Sequence, residues 1–343
     1  MDLDIEDFSA LEDYLRTNRH VRPRETVVFH RLPGGVSNKT VKVTWPGGPV
    51  WVLKQPLRKL RVTANWFSSL ERIRVEANAL RWLNRLAPPG ATPAFLWEDW
   101  ENHILAMESA PVGHENWKSL LLAGQIMPEL FARFGILLGA IHRRSSEAAG
   151  EIRGAFDDTT HFESLRLDPY YIYTADTIPT SASFLRSLVQ ETRRCRLSLV
   201  HGDFSPKNTL VYRGRLIILD YETVHFGDPA FDGGFALALF LSKAHHLRKD
   251  RILLANSAVL FWQAYAREIS SLAWVDALEE RVVRNTLGCL LARVAGKSLL
   301  EYLTKTELLR QRDAVLALMA APPRSIPDLT DEFIGRISVY AKD

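Results

Sequence analysis

The sequence predicts an α+β fold with two lobes, a small lobe rich in antiparallel strands and a larger lobe made mainly of helices. Three observations support this prediction. A chain of 343 residues is too long for one small hydrophobic core. Residues 27–53 are β-branched and alternating, residues 95–108 return to strand character, and apolar residues recur at helical spacing in most of the chain beyond residue 110. We therefore divide the chain into lobes over residues 1–110 and 111–343.

The first lobe is predicted to contain a helix, three strands, a second helix and further strands. Ser9 and Glu12 have the spacing of a capping box, which predicts a short helix at the surface. Residues 27–53 form three strand-like runs separated by glycine- and proline-rich turns, so we expect three antiparallel strands. A second helix begins after Ser68, and residues 95–108 return to strand character.

Helices dominate the second lobe, with one exception. Pro128 lies in the first turn of a long apolar-periodic segment, where its missing N–H costs nothing. The exception is a strand, a turn at Gly214 and a returning strand. The predicted helices cover residues 127–144, 183–194, 231–247, 251–272, 276–303 and 307–320.

The composition excludes several classes of protein. Lys and Arg number 43 against 40 Asp and Glu, and the net charge of +3 is too small and too evenly spread to favour a nucleic-acid partner. Cys195 and Cys289 lie far apart, which argues against a disulfide framework and a structural zinc site. The N terminus is acidic where a secretory signal is basic. The longest apolar stretch, residues 235–241, is far below the ~20 residues that span a membrane. We expect a cytoplasmic protein without a membrane partner.

Polar residues that suit phosphoryl transfer flank the predicted hairpin. Asn208 begins one strand and Asp220 ends the other, so the turn at Gly214 returns both to the same end. They offer oxygen ligands suited to Mg²⁺, and Asp203, five residues before Asn208, offers a carboxylate that can accept a proton. The pattern His-x-Asp-x₄-Asn, beginning at His201, is typical of kinase-like phosphotransferases. The alternative is that these residues only form turns, where such residue types are common.

The first lobe contains a matching lysine and glutamate. Lys54 ends the third strand-like run, where a half-buried ammonium is costly unless an anion lies nearby. Glu76 shares the inward face of the second helix with Ile73 and Leu80, so it is available to orient Lys54. A purely structural salt bridge is the alternative.

Two further segments of the first lobe are candidates for nucleotide binding. A turn between the first two strands can place backbone N–H groups over phosphates, although most such turns are only hairpins. Its candidate residues are Gly34, Gly35, Ser37 and Asn38. Met107 and Glu108 lie at the lobe junction, where an adenine would meet the connecting backbone.

The segments HGDFSPKN and ILDYETVHFGDPAFD resemble the aminoglycoside phosphotransferase and choline kinase superfamily, whose members share a bilobal protein-kinase-like fold. The resemblance covers residues 27–318, and VLKQPL, DPYYIYTAD and GCLLARVAGKSLLEYL are most similar to methylthioribose kinase-like members. It implies ATP and Mg²⁺ as cofactors, a nucleotide site in the first lobe and an acceptor pocket in the second. The implied roles are catalytic base for Asp203, metal ligands for Asn208 and Asp220, phosphate binding for Lys54 and structural bracing for Asp232.

The resulting hypothesis is ATP-dependent phosphorylation of a hydroxyl on a sugar-like or amino-alcohol- or aminoglycoside-like metabolite. The alternative is a nucleotide-binding pseudokinase that senses or scaffolds. Only eleven residues separate Asp220 from Asp232, which leaves no room for the peptide-holding loop of a protein kinase. Glu222 is either a further carboxylate near a metal or a strand cap, and Lys207 either reaches the phosphoryl group or faces solvent.

The acceptor is less well defined by the sequence. Residues 201–343 carry 18 Lys and Arg against 17 Asp and Glu, without the acidic cluster that a polycationic acceptor needs. Tyr170, Tyr171 and Tyr173 are candidates for an aromatic cage around a quaternary amine, or are packing residues. A sugar or nucleoside-derived alcohol is therefore preferred. His142 is expected to be a hydrogen-bonded core residue, and the late helices offer a possible homodimer surface.

Overall fold

Two hydrophobic cores hold the elements together in the structure, a computed structural model that describes residues 3–33, 35–62 and 65–339. The smaller core lies on one face of a five-stranded sheet and includes Val41, Leu53 and Ile104. The larger core consists mainly of residues from the C-terminal helices. It extends to the other face of the sheet, where Leu105 and Met107 alternate with Ile104 along one strand.

The N-terminal elements form an antiparallel sheet with a helix on each face. The strand order is β1-β2-β3-β5-β4, which confirms the three predicted strands and the return to strand structure before residue 108. The elements are α1 (Phe8–Thr17), β1 (Val28–Arg31), β2 (Asn38–Thr44), β3 (Val50–Pro56), α2 (Arg72–Leu86), β4 (Phe95–Asp99) and β5 (Ile104–Glu108).

Helix α1 differs from the prediction in its cap and in its burial. Asp7, not Ser9, is the N-cap, and its carboxylate accepts hydrogen bonds from the N–H of Ser9 and of the next residue. The predicted capping box of Ser9 and Glu12 is therefore wrong, because the helix begins two residues earlier than that pattern requires. Leu11 and Leu15 are fully buried in the smaller core, so α1 is part of that core and not a surface appendage.

The C-terminal elements are mostly helices, together with two small sheets. Strand β6 pairs with the β8–β9 hairpin, and β7 pairs with β10. The elements are β6 (Glu115–Asn116), α3 (Trp117–Leu122), α4 (Pro128–Glu147), α5 (Ala149–Ile152), α6 (Thr160–Phe162), a π-helical segment (Glu163–Ile172), α7 (Tyr173–Thr177), α8 (Ala182–Arg194), β7 (Ser198–Val200), β8 (Thr209–Tyr212), β9 (Arg215–Ile218), β10 (His225–Gly227), α9 (Pro229–His246), α10 (Arg251–Glu268), α11 (Leu278–Ala295), α12 (Lys305–Ala320) and α13 (Ile326–Val339).

The prediction of one long helix over residues 276–303 is wrong at the C-terminal end. Helix α11 ends at Ala295 because the backbone becomes extended at Gly296. A Cβ at Gly296 would lie 2.5 Å from the carbonyl oxygen of Ala292, so only glycine fits this exit. The segment that follows folds back on α11 through a hydrogen bond from Leu300 N to the carbonyl oxygen of Arg293.

Helix α9 lies at the centre of the C-terminal part. Asp228 caps its first turn and Pro229 occupies the first helical position, where its missing N–H is harmless. Side chains on every face of α9 are buried, as expected for a predominantly apolar helix in the interior. Among the described residues, none of the helices is both long and apolar enough to cross a membrane.

Candidate active site

The end of the β8–β9 hairpin brings Asn208 and Asp220 together, as the sequence predicts. Asn208 precedes β8, and its carbonyl accepts a hydrogen bond from Leu219 N at 2.8 Å. Asp220 follows directly, with a positive φ of 72°, a backbone conformation that is unfavourable for a residue with a Cβ and is often found at functional sites. Asn208 Nδ2 donates to the carbonyl oxygen of Asp203 at 3.2 Å. All three predicted residues therefore lie at one end of the hairpin.

Lys54 joins the sheet to α2 and to this hairpin. Its side chain is buried on β3, and its Nζ lies 2.6 Å from Glu76 Oε1 and 2.7 Å from Asp220 Oδ1. Glu76 Oε1 also accepts a hydrogen bond from the N–H of Tyr221 at 3.3 Å. The predicted pair of Lys54 and Glu76 thus forms, and Lys54 also contacts Asp220, a predicted metal ligand. The alternative of a purely structural salt bridge within the first lobe does not explain this second contact.

Burial and charge oppose each other in this cluster. Burial raises the pKa of Glu76 to about 7 and outweighs the opposing attraction of Lys54. Burial also raises the pKa of Asp220, but the ammonium of Lys54 more than compensates and holds that pKa below its usual value. For Lys54, burial lowers the pKa, whereas the carboxylates of Asp220 and Glu76 raise it above its ordinary value. Lys54 and Asp220 are therefore charged at neutral pH.

Arg166 is a site residue that the sequence analysis missed. It lies in the π-helical segment, is nearly fully buried, and places Nη2 2.8 Å from Asp203 Oδ2. Its Nε donates to the carbonyl oxygen of Gly202 at 2.6 Å and its Nη1 to that of Leu165 at 2.8 Å. The contacts with Asp203 and Gly202 fix the guanidinium against both the side chain and the backbone of the loop that holds Asp203. The sequence offered one signal for this residue, namely an arginine four residues before Tyr170.

Asp232 braces the same loop from within α9, as the resemblance implies. Its carboxylate accepts hydrogen bonds from the N–H of His201 at 2.7 Å and from that of Gly202 at 2.8 Å. His142 Nε2 lies 3.3 Å from Asp232 Oδ2, and His142 Nδ1 lies 2.9 Å from the hydroxyl of Tyr265. His142 is fully buried, which confirms the predicted core histidine.

Position 202, next to Asp203, must be occupied by glycine for two reasons. Its φ is +77°, and a Cβ there would lie 2.6 Å from Thr223 Oγ1. Thr223 Oγ1 donates to the carbonyl oxygen of His201 at 2.9 Å. The hydroxyl that a side chain at position 202 would displace therefore stabilises the backbone of the same loop. His201 Nδ1 in turn accepts a hydrogen bond from the N–H of Asp203 at 3.2 Å, which fits a neutral imidazole whose pKa is lowered by burial.

Glu222 forms a buried ion pair that connects the glycine-rich turn to the hairpin. Its Oε2 accepts hydrogen bonds from Arg72 Nε at 2.9 Å and from Asn38 Nδ2 at 3.1 Å. Arg72 also donates to the carbonyl oxygens of Ser37 and Leu57. Through Oε2, Glu222 therefore cross-links α2 and the turn before β2, and its role as a carboxylate near a metal stays a prediction.

The remaining predicted nucleotide-binding residues lie around this cross-link and at the end of the sheet. Ser37 and Asn38 are buried, and Gly34 lies outside the described residues. Gly35 is close to the backbone of Asn38, since a Cβ at Gly35 would lie 3.1 Å from that carbonyl oxygen. Their contact with phosphates stays a prediction.

The lobe junction and Lys207 complete the predicted set. Met107 is buried at the end of β5 and Glu108 is exposed, and both pair with β3, the strand of Lys54. Lys207 is exposed, and its carbonyl oxygen accepts a hydrogen bond from Asn116 Nδ2 at 2.7 Å. The position of Met107 and Glu108 beside β3 fits the predicted adenine contact without testing it.

The donor set at the hairpin suits a magnesium ion held jointly with phosphates. Asn208 uses its Nδ2 on the protein, which leaves its side-chain oxygen for a cation, and Asp220 uses one carboxylate oxygen on Lys54. Mg²⁺ commonly binds one or two protein oxygens together with substrate phosphates. The described residues contain no group of three or more His, Cys, Asp or Glu that could hold a metal by themselves.

The three predicted aromatic residues do not form an open cage. Tyr171 is buried, and its hydroxyl donates to Asn285 Oδ1 at 2.9 Å. Tyr170 is buried and accepts a hydrogen bond from Arg293 Nη1 at 2.9 Å. Tyr173 is 39% exposed. The packing interpretation therefore holds for Tyr170 and Tyr171.

Comparison with known proteins identifies similar sequences. Residues 28–255 match the phosphotransferase enzyme family. Methylthioribose kinase from Pectobacterium atrosepticum is 25% identical over 246 residues, which cover 64% of this chain and 61% of that protein. Methylthioribose kinase from Klebsiella pneumoniae subsp. pneumoniae is 23% identical over 290 residues, covering 73% of this chain and 71% of that protein. The chain thus spans about three fifths of the length of the first of these relatives.

Solved structures share the fold. Amicoumacin kinase hAmiN, in complex with AMP-PNP, Ca²⁺ and Ami, has a TM-score of 0.58 at 15% identity and covers 96% of this chain and 99% of its own. Choline kinase from Cryptosporidium parvum has a TM-score of 0.53 at 12% identity, covering 98% of this chain and 95% of its own. These likenesses confirm the predicted two-part α+β fold.

Proposed function

Because this chain belongs to the phosphotransferase enzyme family, we propose that it transfers the γ-phosphate of ATP to a hydroxyl group of a small molecule. Residues 1–110 hold the nucleotide and residues 111–343 provide the acceptor pocket. Lys54, positioned by Glu76, neutralises phosphate charge. The turn containing Gly35 and the end of β5 contact the rest of the nucleotide.

Asp203 is the proposed catalytic residue. It accepts a hydrogen bond from the acceptor hydroxyl and orients the oxygen toward the γ-phosphorus. The new oxygen–phosphorus bond forms as the bond from that phosphorus to the β,γ-bridging oxygen breaks. ADP leaves with the electron pair of the broken bond, and the hydroxyl proton passes to Asp203. Arg166, by holding one carboxylate oxygen, leaves the other for this contact.

The metal site belongs to Asn208 and Asp220. Mg²⁺ bound there supplies positive charge to the phosphates. The two side chains hold their positions through the hydrogen bond from Asn208 to the backbone of Asp203 and the ion pair between Asp220 and Lys54. The phosphate-binding, metal-binding and base residues are thereby fixed relative to one another before ATP binds, which lowers the cost of ordering them during the reaction.

The observation that carries the proposal is that Lys54 and Glu76 both contact the end of the hairpin. Lys54 pairs with Asp220, 166 residues away, and Glu76 accepts a hydrogen bond from the N–H of the next residue, Tyr221, 145 residues away. The test is ADP release with Mg²⁺ and ATP over a panel of sugars, amino alcohols, aminoglycosides and hydroxy acids. We expect at least one acceptor to raise the rate above that of ATP alone, and Asp220→Asn to abolish the increase. Asp313→Asn, an exposed carboxylate on α12, is the matched control. ATP binding without acceptor-dependent ADP release would favour the pseudokinase alternative instead.

A further inference from the structure

Lys243 is buried in the helical part of the molecule without a carboxylate partner. It lies on α9 and is 2% exposed. Its Nζ donates to the carbonyl oxygen of Leu239, one turn earlier, at 3.3 Å, and it forms no ion pair with any carboxylate in the described parts of the chain. A lysine removed from water is strongly unfavourable unless an anion compensates its charge. The position of Lys243 therefore calls for an explanation.

The side chains around Lys243 add positive charge. Burial, Lys118 and Arg293 together lower the pKa of Lys243 to about 7, and Glu301 opposes them only in part. Glu301 is itself paired with Lys118, and its side chain is 63% exposed. The ring centroid of Tyr302 lies 5.4 Å from Lys243 Nζ and 6.0 Å from Lys118 Nζ. We call Lys118, Lys243, Arg293 and Tyr302 the basic cluster.

Two polar atoms of the basic cluster are buried without a hydrogen-bond partner among the described residues. They are Arg293 Nε and the hydroxyl oxygen of Tyr302. Arg293 Nη1 donates to Tyr170 Oη at 2.9 Å and to Ser298 Oγ at 2.7 Å, so neither of its contacts is with an acid. Buried donors in native proteins nearly always have a partner, so each unpartnered one calls for an explanation, and a bound ion or water is one such explanation. Both atoms can donate to an anion.

The basic cluster is connected to the proposed catalytic loop from two sides. On one side, Tyr170, the partner of Arg293, has its ring centroid 5.9 Å from the guanidinium of Arg166, which pairs with Asp203. On the other side, Lys118 lies in α3, two residues after Asn116, which donates to the carbonyl oxygen of Lys207 in the loop between Asp203 and β8. A compound bound at the cluster is thus adjacent to the elements that fix the proposed base.

We propose that the acceptor is a hydroxyl compound carrying an anionic group, and that Lys243, Arg293 and Tyr302 bind this group while the hydroxyl lies at Asp203. The inference rests on the proposed function and specifies the class of acceptor. An amine or quaternary ammonium acceptor is excluded by the same charges, since it would place another cation among buried cations. A neutral sugar would offer no counter-ion to the protonated form of Lys243, whereas an anionic group would favour that form.

The test compares neutral sugars with counterparts that carry an anionic group at one carbon, namely glucose with glucuronate, and ribose with ribose 5-phosphate, together with choline as a cation. ADP release is measured for the full chain, for Lys243→Met, and for Lys249→Met, a control at an exposed lysine beyond the end of α9. Thermal stabilisation by each compound is measured in parallel with the nucleotide site filled by AMP-PNP and Mg²⁺, so that binding is detected even without turnover.

We expect at least one acidic compound to have a KM at least tenfold below that of its neutral counterpart, and to raise the Tm more. Lys243→Met should raise that KM at least tenfold and remove the extra stabilisation, with the KM for ATP unchanged, whereas Lys249→Met should change neither. Any of three results would overturn the inference. They are a lower KM for the neutral sugar or choline than for the acids, the same acceptor KM and Tm shift in Lys243→Met as in the full chain, and no rise in Tm with either acid. Turnover of a neutral acceptor would leave the proposed function intact, and failure of ATP to bind would remove the proposed function itself.

Discussion

Arg166 places Nη2 2.8 Å from Oδ2 of Asp203, so a buried guanidinium holds the carboxylate that we propose as the catalytic base. The same arginine binds the carbonyl oxygen of Gly202, which fixes the backbone next to that carboxylate. A loose phosphoryl-transfer transition state gains little from a strong base and much from correct placement of the nucleophile. Arg166 is therefore a positioning residue, and its removal should affect rate more than nucleotide affinity.

Arg166→Lys should lower kcat by about 10- to 100-fold, because a lysine cannot reproduce the planar fork that contacts both Asp203 and Gly202. The KM for ATP should stay within about twofold, since Arg166 does not contact the Lys54 cluster. Steady-state ADP release measures both constants. Arg186→Lys is the control, because Arg186 pairs with Asp176 at the exposed surface. An equal rise in the KM for ATP would assign Arg166 to general stability instead.

Glu76→Gln should raise the KM for ATP and lower kcat, each by about tenfold or more, because the carboxylate that holds Lys54 at 2.6 Å is lost. Glu71→Gln, one position before α2, should leave both constants unchanged, because Glu71 is exposed and pairs with Arg74 at 2.8 Å and with His103 at 4.0 Å. Nucleotide titration monitored by tryptophan fluorescence separates affinity from rate. Unaltered ATP affinity in Glu76→Gln would contradict the role given to this pair.

The ion pair between Arg72 and Glu222 should be a stability element. Arg72→Met leaves a buried carboxylate without its partner and should lower the free energy of unfolding by about 3–5 kcal/mol. Replacing both residues, Arg72→Met with Glu222→Leu, should recover part of that loss, since neither charge of this buried pair remains. Urea denaturation measures all three proteins. If Glu222→Gln instead changed the concentration of Mg²⁺ needed for half-maximal activity, Glu222 would have to be a metal ligand after all.

Lys243 should make the stability of the protein depend on pH. Below pH 7 the lysine is protonated in both the folded and the unfolded chain. The folded chain then has the full free-energy cost of burying this charge beside Lys118 and Arg293, and Glu301 offsets that cost only in part. Between pH 7 and 10.5 the unfolded chain keeps the proton that the folded chain loses, so stability rises with pH. Lys243→Met should therefore be more stable than the natural chain by about 1–3 kcal/mol at pH 6, and the difference should shrink at pH 9. A difference that does not vary between pH 6 and 9 would contradict the unpaired state of Lys243.

The hairpin residues were predictable because their relation is local. The spacing of Asn208 and Asp220 about the turn at Gly214 determines which end of the hairpin they occupy, whatever the rest of the chain does. Lys54 and Glu76 were predictable because strand and helix periodicity decide which face each occupies.

Contacts that depend on tertiary packing could not be predicted in this way. Arg166 reaches Asp203 from a π-helical segment that contains Pro169, and helical periodicity does not describe that segment. Glu222 meets its partners Arg72 and Asn38 across 150 and 184 residues. At these separations the sequence shows only that a charge is present. The packing of α2 against the hairpin decides which charge it meets.

The most direct test of the proposed reaction follows the transferred phosphoryl group itself. ATP labelled at the γ-phosphorus is incubated with Mg²⁺ and the best acceptor of the panel, and the label is traced with the natural chain, with Asp203→Asn and with Asp313→Asn. We expect a labelled phosphomonoester of the acceptor from the natural chain and from Asp313→Asn, and at least a hundredfold less from Asp203→Asn with ATP binding retained. Label found only as inorganic phosphate, or transfer by Asp203→Asn at the natural rate, would contradict it.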